Sequence, residues 1–351
     1  MKKPGTPTRR SVQRLWAALV PLCLCACGGS SIQNSLHPSG PQAEHLSNLW
    51  WLMFWVSTIV FVLVMIALLL ALKNRTMESQ FLFPPLLTPA IEQERKRRNV
   101  VISSVVVTVA ILFVFLVVSF SVGRSLTAEL ARKNALTIEI TGHQWWWEVR
   151  YQDASASNIF TTANEIHIPV GVPVTFQLRG GDVIHSFWVP NLMGKKDLIP
   201  GKIATVWLQA DQPGVYRGQC AEYCGLQHAH MALWIVAETQ EQFNAWHQNQ
   251  VQTSVAPASD TQKLGQEVFL SSACVMCHAI NGTPAGANFG PNLTHIASRN
   301  TIAAATLPNT REHLTRWIVD SQKIKPGNKM PQNNLSNENL NVLLDYLQSL
   351  K

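Results

Sequence analysis

The sequence predicts a multidomain membrane protein: a two-helix transmembrane hairpin, then a β-sandwich or barrel domain, then an all-α domain. Three observations carry that assignment. Two uncharged runs, Ser47–Leu72 and Val100–Val122, are 26 and 23 residues long, each beyond the roughly 20 residues a helix needs to cross a bilayer. Between Ala135 and Glu238, short alternating apolar runs recur between Gly and Pro punctuation, the pattern of a layered or closed β domain. Beyond Asp260, apolar residues return at helical spacing.

Composition narrows the function classes. At 351 residues the chain has room for two or three domains. Only 14% of residues are charged, against roughly 25% in an ordinary soluble chain, and the deficit lies in the two apolar runs. Such low charge with 47% apolar content excludes a mainly disordered chain. The formal charge of +7 invites a nucleic-acid partner, but its distribution argues against one. Residues 1–26 hold five basic residues and no acid, whereas 124–256 hold nine basic against eleven acidic, and 257–351 eight against six. No large segment is strongly basic, so no nucleic-acid partner is expected.

The elements follow in order. Residues 1–26 read as a secretory signal, a basic start followed by ten apolar residues, Leu15–Leu24, too short to span. The run Leu24-Cys25-Ala26-Cys27-Gly28 resembles a bacterial lipoprotein cleavage box with Cys27 as the lipidated residue; bulky Leu24 before Cys25 makes that position a poor fit. Residues 27–46 are then an extracytoplasmic segment, 47–72 and 100–122 the spans, and 73–99 a cytoplasmic loop. Both spans are helices, because lipid offers no partner to an open backbone. Trp50, Trp51 and Trp55 stand where an aromatic belt belongs, and Lys73, Arg75, Arg95, Lys96, Arg97 and Arg98 mark the cytoplasmic side of a bacterial inner membrane. Everything after Arg124 therefore faces outward.

The β domain is expected over 124–250. Its strands are Leu136–Ile140, Trp145–Tyr151, one through Val174, Phe176 and Leu178, Ile203–Leu208, Val215–Gln219 and Leu233–Val236, with helix Gln240–Gln250 closing it. Residues 251–260 form a polar linker. Helices Gln262–Leu270, Arg311–Gln322 and Asn337–Leu350 fill 261–351. In the last, Leu340, Leu343, Leu344 and Leu347 make one apolar stripe, with Asn337 as its N-cap.

Seven cysteines fall in three tight groups, which suits ligand or attachment clusters better than a disulfide framework. Cys274-Val275-Met276-Cys277-His278 is the attachment signature of a c-type haem: two thioethers from Cys274 and Cys277, and an axial imidazole from His278. Met330, 52 residues beyond His278, is the candidate sixth ligand; Met276 sits inside the attachment loop and cannot reach the opposite face. His295 and His313 are rival axial candidates. A thioredoxin-type site would need a βαβ setting, and zinc a second cysteine pair nearby. The three helices resemble a small class I cytochrome c, and Gly290-Pro291-Asn292-Leu293 resembles that family's loop beside the haem.

The second group is a soft-ligand loop: Cys220, Cys224, His228 and Met231 lie within twelve residues. Thiolate, imidazole and a weak thioether are copper chemistry. A second thiolate lets both sulfurs bridge a pair of copper ions, with His185, 35 residues upstream, as the further imidazole. Structural zinc is the alternative, and it would leave Met231 without a role. His143, His167 and His230 read as structural or solvated.

With these motifs in place the chain resembles subunit II of a haem–copper cytochrome c oxidase of the caa type, carrying a fused cytochrome c domain. The resemblance covers almost the whole mature chain and extends to Gly142-His143-Gln144-Trp145-Trp146-Trp147 and to Asp197-Leu198-Ile199-Pro200-Gly201. It implies a cupredoxin domain with a binuclear CuA centre ligated by His185, Cys220, Cys224, His228, Met231 and the backbone carbonyl of Glu222. It also implies magnesium at the Glu222 side chain, shared with the catalytic subunit I, and Trp145 as the surface position where electrons enter. The implied partners are oxidase subunit I, other oxidase subunits and a cytochrome c donor; the implied function is electron relay to the subunit that reduces oxygen and translocates protons. A subunit of a CuA-dependent nitric oxide reductase and a copper-delivery protein are the rivals. Oxygen against nitric oxide turnover separates the first, and tightly held copper at two per haem excludes the second.

Overall fold

The structure, a computed structural model, describes residues 31–73, 91–128 and 136–351. The expected signal segment 1–26, Cys27 and loop residues 74–90 lie outside the described residues.

Helix α1 is Pro41–Lys73 and α2 is Ile91–Ala128. Both are long and apolar enough to cross a membrane, and both outrun the apolar segments 47–72 and 100–122. The extra turns have protein partners. At the start of α1, Gln42, Ala43 and Ser47 are buried, and the Gln42 amide donates to the Trp207 carbonyl. The first turns of α2, expected as loop, carry a Glu92–Lys96 pair one turn apart. At its other end the Leu126 carbonyl accepts from the Trp207 indole at 2.6 Å. Trp207 therefore ties both helices to the domain that follows. Between these ends the side chains lie open, Phe61 by 64% and Leu116 by 66%, as a lipid-facing surface requires.

Ten strands follow in chain order: β1 (Thr137–His143), β2 (Trp146–Gln152), β3 (Phe160–Ala163), β4 (Glu165–Pro169), β5 (Val174–Gly180), β6 (His185–Trp188), β7 (Lys196–Leu198), β8 (Ile203–Leu208), β9 (Gly214–Cys220) and β10 (Ala232–Glu238). They form two five-stranded sheets, β3-β2-β1-β5-β8 and β4-β10-β9-β6-β7, whose inward faces share one core. Alternation sets the register of the first: Ile138 and Ile140 of β1 lie beside Phe176 and Leu178 of the parallel β5, all fully buried. In the second sheet β6 pairs with β9 so that Phe187 faces Cys220, which puts His185 and Cys220 at one end of the sandwich. Helix α3 (Gln240–Val251) closes the domain behind a capping box of Thr239 and Gln242.

The last domain holds α4 (Asp260–Ser271), α5 (Arg311–Val319), α6 (Ser321–Ile324) and α7 (Asn337–Leu347). Three details differ from the sequence expectation. The helix foreseen over Arg311–Gln322 is two, because Asp320 leaves helical geometry (φ −150°, ψ 80°) and its carboxylate accepts from the Lys323 amide. The N-cap of α7 is Ser336, whose hydroxyl accepts from the Asn339 amide, not Asn337. A short ribbon that the sequence does not announce, β11 (Thr301–Ile302) with β12 (Leu307–Pro308), is added to the helices. Helices α4 and α7 cross at Gly265, where a Cβ would overlap the Val342 carbonyl and stand 2.7 Å from the Tyr346 Cβ. Phe269, Leu314, Ile318, Leu343, Leu344 and Tyr346 fill the core around that crossing.

Candidate functional site

The soft-ligand loop is held at its base by the sheet. Cys220 ends β9 and Met231 precedes β10, and the Cys220 amide donates to the Met231 carbonyl at 2.9 Å. Within the loop Gly225 adopts φ +110°, open to glycine and strained for other residues. A Cβ there would lie 3.2 Å from the Trp145 ring, so glycine lets the indole lie close.

The expected ligands converge. Cys220 Sγ stands 3.8 Å from Cys224 Sγ, 3.9 Å from His185 Nδ1 and 3.2 Å from the Glu222 carbonyl oxygen. Cys224 Sγ is 3.6 Å from His228 Nδ1 and 3.8 Å from Met231 Sδ. The sulfurs are too far apart for a disulfide, whose bond is about 2.05 Å. Electrostatics favours cations between them. The hydrogen bond from Cys224, with His185 adding to it, pulls the Cys220 thiol down to about 3. That negative neighbour, with burial, pushes the Cys224 thiol far above its ordinary value. The pair thus carries two thiolates only when positive ions neutralise them, and the mixed S, N and carbonyl donors suit copper. His185 is oriented from behind, its Nε2 2.8 Å from Asp182 Oδ1, while the other Asp182 oxygen accepts from the Gln144 amide at 2.7 Å. A carboxylate on the far nitrogen is how a ligating histidine is fixed.

Glu222 fits its second expected role less well. Its side-chain carboxylate is 3.4 Å from Lys195 Nζ, which also bonds Asp197 at 2.8 Å. An ammonium sits between the two carboxylates, so the residues of this chain do not by themselves build a magnesium site.

The C-x-x-C-H motif opens onto a cavity of about 550 Å³ that Cys274, Cys277, His278 and Met330 all line, with Leu293, Ile296, Ile302, Leu314 and Trp317 as apolar wall. His278 Nδ1 donates to the Pro291 carbonyl at 2.7 Å, leaving Nε2 for a metal, and burial holds its pKa below the usual value. Gly290 packs flat on that ring, with room for no Cβ. The Met330 carbonyl is held by Ser321 Oγ and Gln322 Nε2 at 2.7 and 2.8 Å. Arg299 also lines the cavity; burial pulls its guanidinium down to about 10, and its Nε has no hydrogen-bond partner. A half-buried cation with a buried, idle Nε at an apolar cavity suits the acidic edge of a haem. The residues present therefore fit a covalent haem.

The rival axial histidines are elsewhere. Both ring nitrogens of His295 meet backbone oxygens, Lys351 at 2.7 Å and Gln252 at 3.1 Å. His313 bonds the Thr310 hydroxyl at 2.7 Å, and neither histidine lines the cavity. His167 is satisfied by Glu238 and Glu165 at 2.9 and 3.3 Å. His143 stacks on Trp146 and bonds Glu148.

Trp145 departs from expectation. It is only 9% exposed, because the last domain covers it, and it lines the cavity wall rather than an open surface. Its indole N–H donates to the Cys224 carbonyl at 3.0 Å. Sequence reasoning also missed Lys325, a lysine that looks solvated in a polar Pro-Gly segment. It is buried to 2% exposure, and burial pulls its ammonium down to about 7, with Cys224 opposing. Asp182 and Arg299 were likewise not singled out; a carboxylate three residues before His185 was the one available signal.

Two families match. The one described as "Cytochrome C oxidase subunit II, periplasmic domain" covers residues 153–239, and the one described as "Cytochrome c" covers 262–351. The chain is 35% identical over 337 residues to "Cytochrome c oxidase subunit 2" of Alkalihalophilus pseudofirmus, with 94% of each chain covered. It is 28% identical over 357 residues to the protein of that name from Bacillus subtilis, covering 96% of this chain and 97% of that one. A solved structure of the periplasmic domain of subunit II of cytochrome oxidase (CoxB) of Bradyrhizobium japonicum is 33% identical; it covers 34% of this chain and 95% of its own, at a TM-score of 0.32.

Proposed function

The chain belongs to the cytochrome c oxidase subunit II family, and from that premise we propose how its residues serve the electron-transfer subunit of a haem–copper oxidase. Its two outer domains are those of CuA copper and of haem c. When bound, each of these groups takes up and gives up one electron at a time.

The residue roles are our assignment. His185, Cys220, Cys224, His228, Met231 and the Glu222 carbonyl would hold the copper pair, in a domain spanning 124–250. Cys274 and Cys277 would hold the haem by thioethers, with His278 and Met330 as axial ligands, in a domain spanning 261–351 beyond the linker 251–260. Asp182 keeps His185 in one orientation, and the Pro291 carbonyl does the same for His278. Arg299 offers its free Nε to negative charge, and the apolar wall excludes water, which keeps electrostatic interactions strong.

The observation that carries the proposal is Trp145. One side chain forms part of the cavity wall where the haem would sit and bonds the backbone of Cys224. Trp145 thus stands between the two sites, with its ring on the cavity wall and its N–H on the copper loop. A reduced cytochrome c or similar donor would meet the open rim of the cavity, where Met276 and Phe289 are 69% and 78% exposed. The acceptor would be subunit I, in a bacterial inner membrane with both outer domains on the periplasmic side.

The test is turnover of the purified complex with reduced cytochrome c. Oxygen consumption that keeps pace with cytochrome c oxidation, with copper retained at two per haem c, is expected. Nitric oxide turnover in place of oxygen would move the chain to a different terminal reductase, and labile copper would move it to metal delivery.

A further inference from the structure

Lys325 closes α6 and opens the segment Lys325-Pro326-Gly327-Asn328-Lys329-Met330, so the residues that carry the candidate axial Met330 begin with a buried lysine. Its Nζ donates to three carbonyls: Trp145 at 2.8 Å, His230 at 2.8 Å and Ala303 at 3.2 Å. An ammonium has three N–H donors and no acceptor, so all three are used without any carboxylate. The three acceptors come from three different places: the aromatic segment before β2, the copper loop, and the turn between β11 and β12. We propose that Lys325 is a positioning residue for electron transfer between the two cofactor sites, locking the Met330 segment onto Trp145 and the copper loop so that the cytochrome domain works docked rather than loosely tethered. This assignment presupposes the electron-carrying role of both domains.

The surroundings are built to the same end. Gln227, in the copper loop, donates its side-chain amide to the Pro326 carbonyl at 2.8 Å. Lys329 reaches Asp182, the carboxylate behind His185, at 3.5 Å. Gly327 lies against Leu226, which a Cβ would approach to 3.1 Å, and its φ of +82° again belongs to glycine. The turn that presents the third carbonyl is strained. Ala303, Ala304 and Ala305 have φ of 56°, 58° and 57°, a left-handed run that L residues other than glycine rarely adopt. Strain of this kind persists only where surrounding contacts over-determine the backbone, and here the contacts cross between domains. Ala303 O meets Lys325, and Ala304 O accepts from the Ala232 amide at 3.3 Å. Farther along the interface Asn300 donates its backbone and side-chain N–H groups to Glu165 at 3.0 and 3.2 Å. The lysine touches the indole segment, the copper loop and the strained turn together. A lysine is almost never fully buried without such partners.

The test uses the full chain in the assembled complex, as wild type, Lys325→Met and Lys325→Arg. Electron exchange between haem c and copper is followed after flash reduction, alongside the optical spectrum of the haem and the mixed-valence copper signal. Hydrogen exchange of residues 225–231 and 301–306 is read on the same samples. Lys325→Met should leave both spectra in place, slow the exchange at least about tenfold, as losses of positioning do, and expose both segments to hydrogen exchange. Lys325→Arg should restore part of the rate. If Lys325→Met fails to take up either cofactor, the same readings on Lys325→Gln, which keeps two donors, decide the matter. A variant with both cofactors bound and wild-type rate and protection would overturn the proposal. Absence of haem–copper exchange in the wild type would instead sink the electron-transfer role itself.

Discussion

At the copper site the donor atoms of His185, Cys220, Cys224, His228 and Met231 stand 3.6 to 3.9 Å apart, each from the next, in a chain of contacts. Those of the cytochrome domain line a cavity of about 550 Å³. The contrast follows from what holds each set. Cys220 and His185 sit on paired strands of one sheet, and the loop between β9 and β10 is closed at its base by a backbone bond. The first site therefore inherits its geometry from strand register, which is rigid and local. The second gathers a turn, a ribbon and a loop around a space, and its shape depends on how α4, α5 and α7 pack. One site should fail by losing a ligand, the other by losing its frame.

The largest effect expected from that difference is at Cys224. Replacing it with serine removes one of the two sulfurs proposed to hold the copper pair, and the donors that remain would hold that pair less well. Cys224→Ser should abolish the mixed-valence copper signal while haem absorbance stays at the wild-type level, because the ligand sets are disjoint. Loss of haem in that variant would break the separation between the two sites.

Next in size is Gly265→Ala, which attacks the frame of the other site. The added methyl has no space at the α4–α7 crossing, and overpacking of this kind costs about 3 kcal/mol. The melting transition of the cytochrome domain, followed by haem absorbance, should fall by several degrees while the copper signal is unchanged. A copper signal that moved with it would show that the docked domains share one frame.

How much of this was legible in the sequence depends on whether the cause is local. The motif at Cys274–His278 and the loop at Cys220–Met231 are short and chemically specific, so the sequence alone names their residues. β5 was readable because Val174, Phe176 and Leu178 alternate with more open neighbours. β4 was missed because both of its faces are covered, so Glu165–Pro169 shows no alternation. The face turned away from the core buries Glu165 and His167, against the usual code, beneath Asn300 and Trp246. Strands β6 and β7, four and three residues long, are too short for periodicity. The N-cap of α7 was misplaced by one residue, since the choice between Ser336 and Asn337 is made by backbone geometry. The interface was not legible at all. Lys325 and Trp145 are buried by a neighbouring domain, and no property of Lys323-Ile324-Lys325-Pro326-Gly327 foretells which lysine faces protein.

The smallest expected effect lies in that unread strand, and it turns on the sign of a single charge. His167 is buried between Glu165 and Glu238 and stacks on Trp246 at 4.1 Å. Burial opposes its charge, but hydrogen bonds and charges from both carboxylates outweigh burial and raise its pKa above the ordinary 6.5. A raised folded-state value means that the stabilisation is fully present below the unfolded value near 6.5 and is lost as pH rises through the folded value. The charge-assisted bonds should be worth about 1–2 kcal/mol. His167→Gln should lower the melting temperature of the copper domain at pH 6 and bring it close to wild type at alkaline pH, with both cofactor spectra unaltered throughout. An equal deficit at every pH would mean that His167 contributes through packing on Trp246 alone. In that case the sandwich behind the copper loop owes its rigidity to strand register without electrostatic help, and the contrast with the cytochrome domain becomes sharper still.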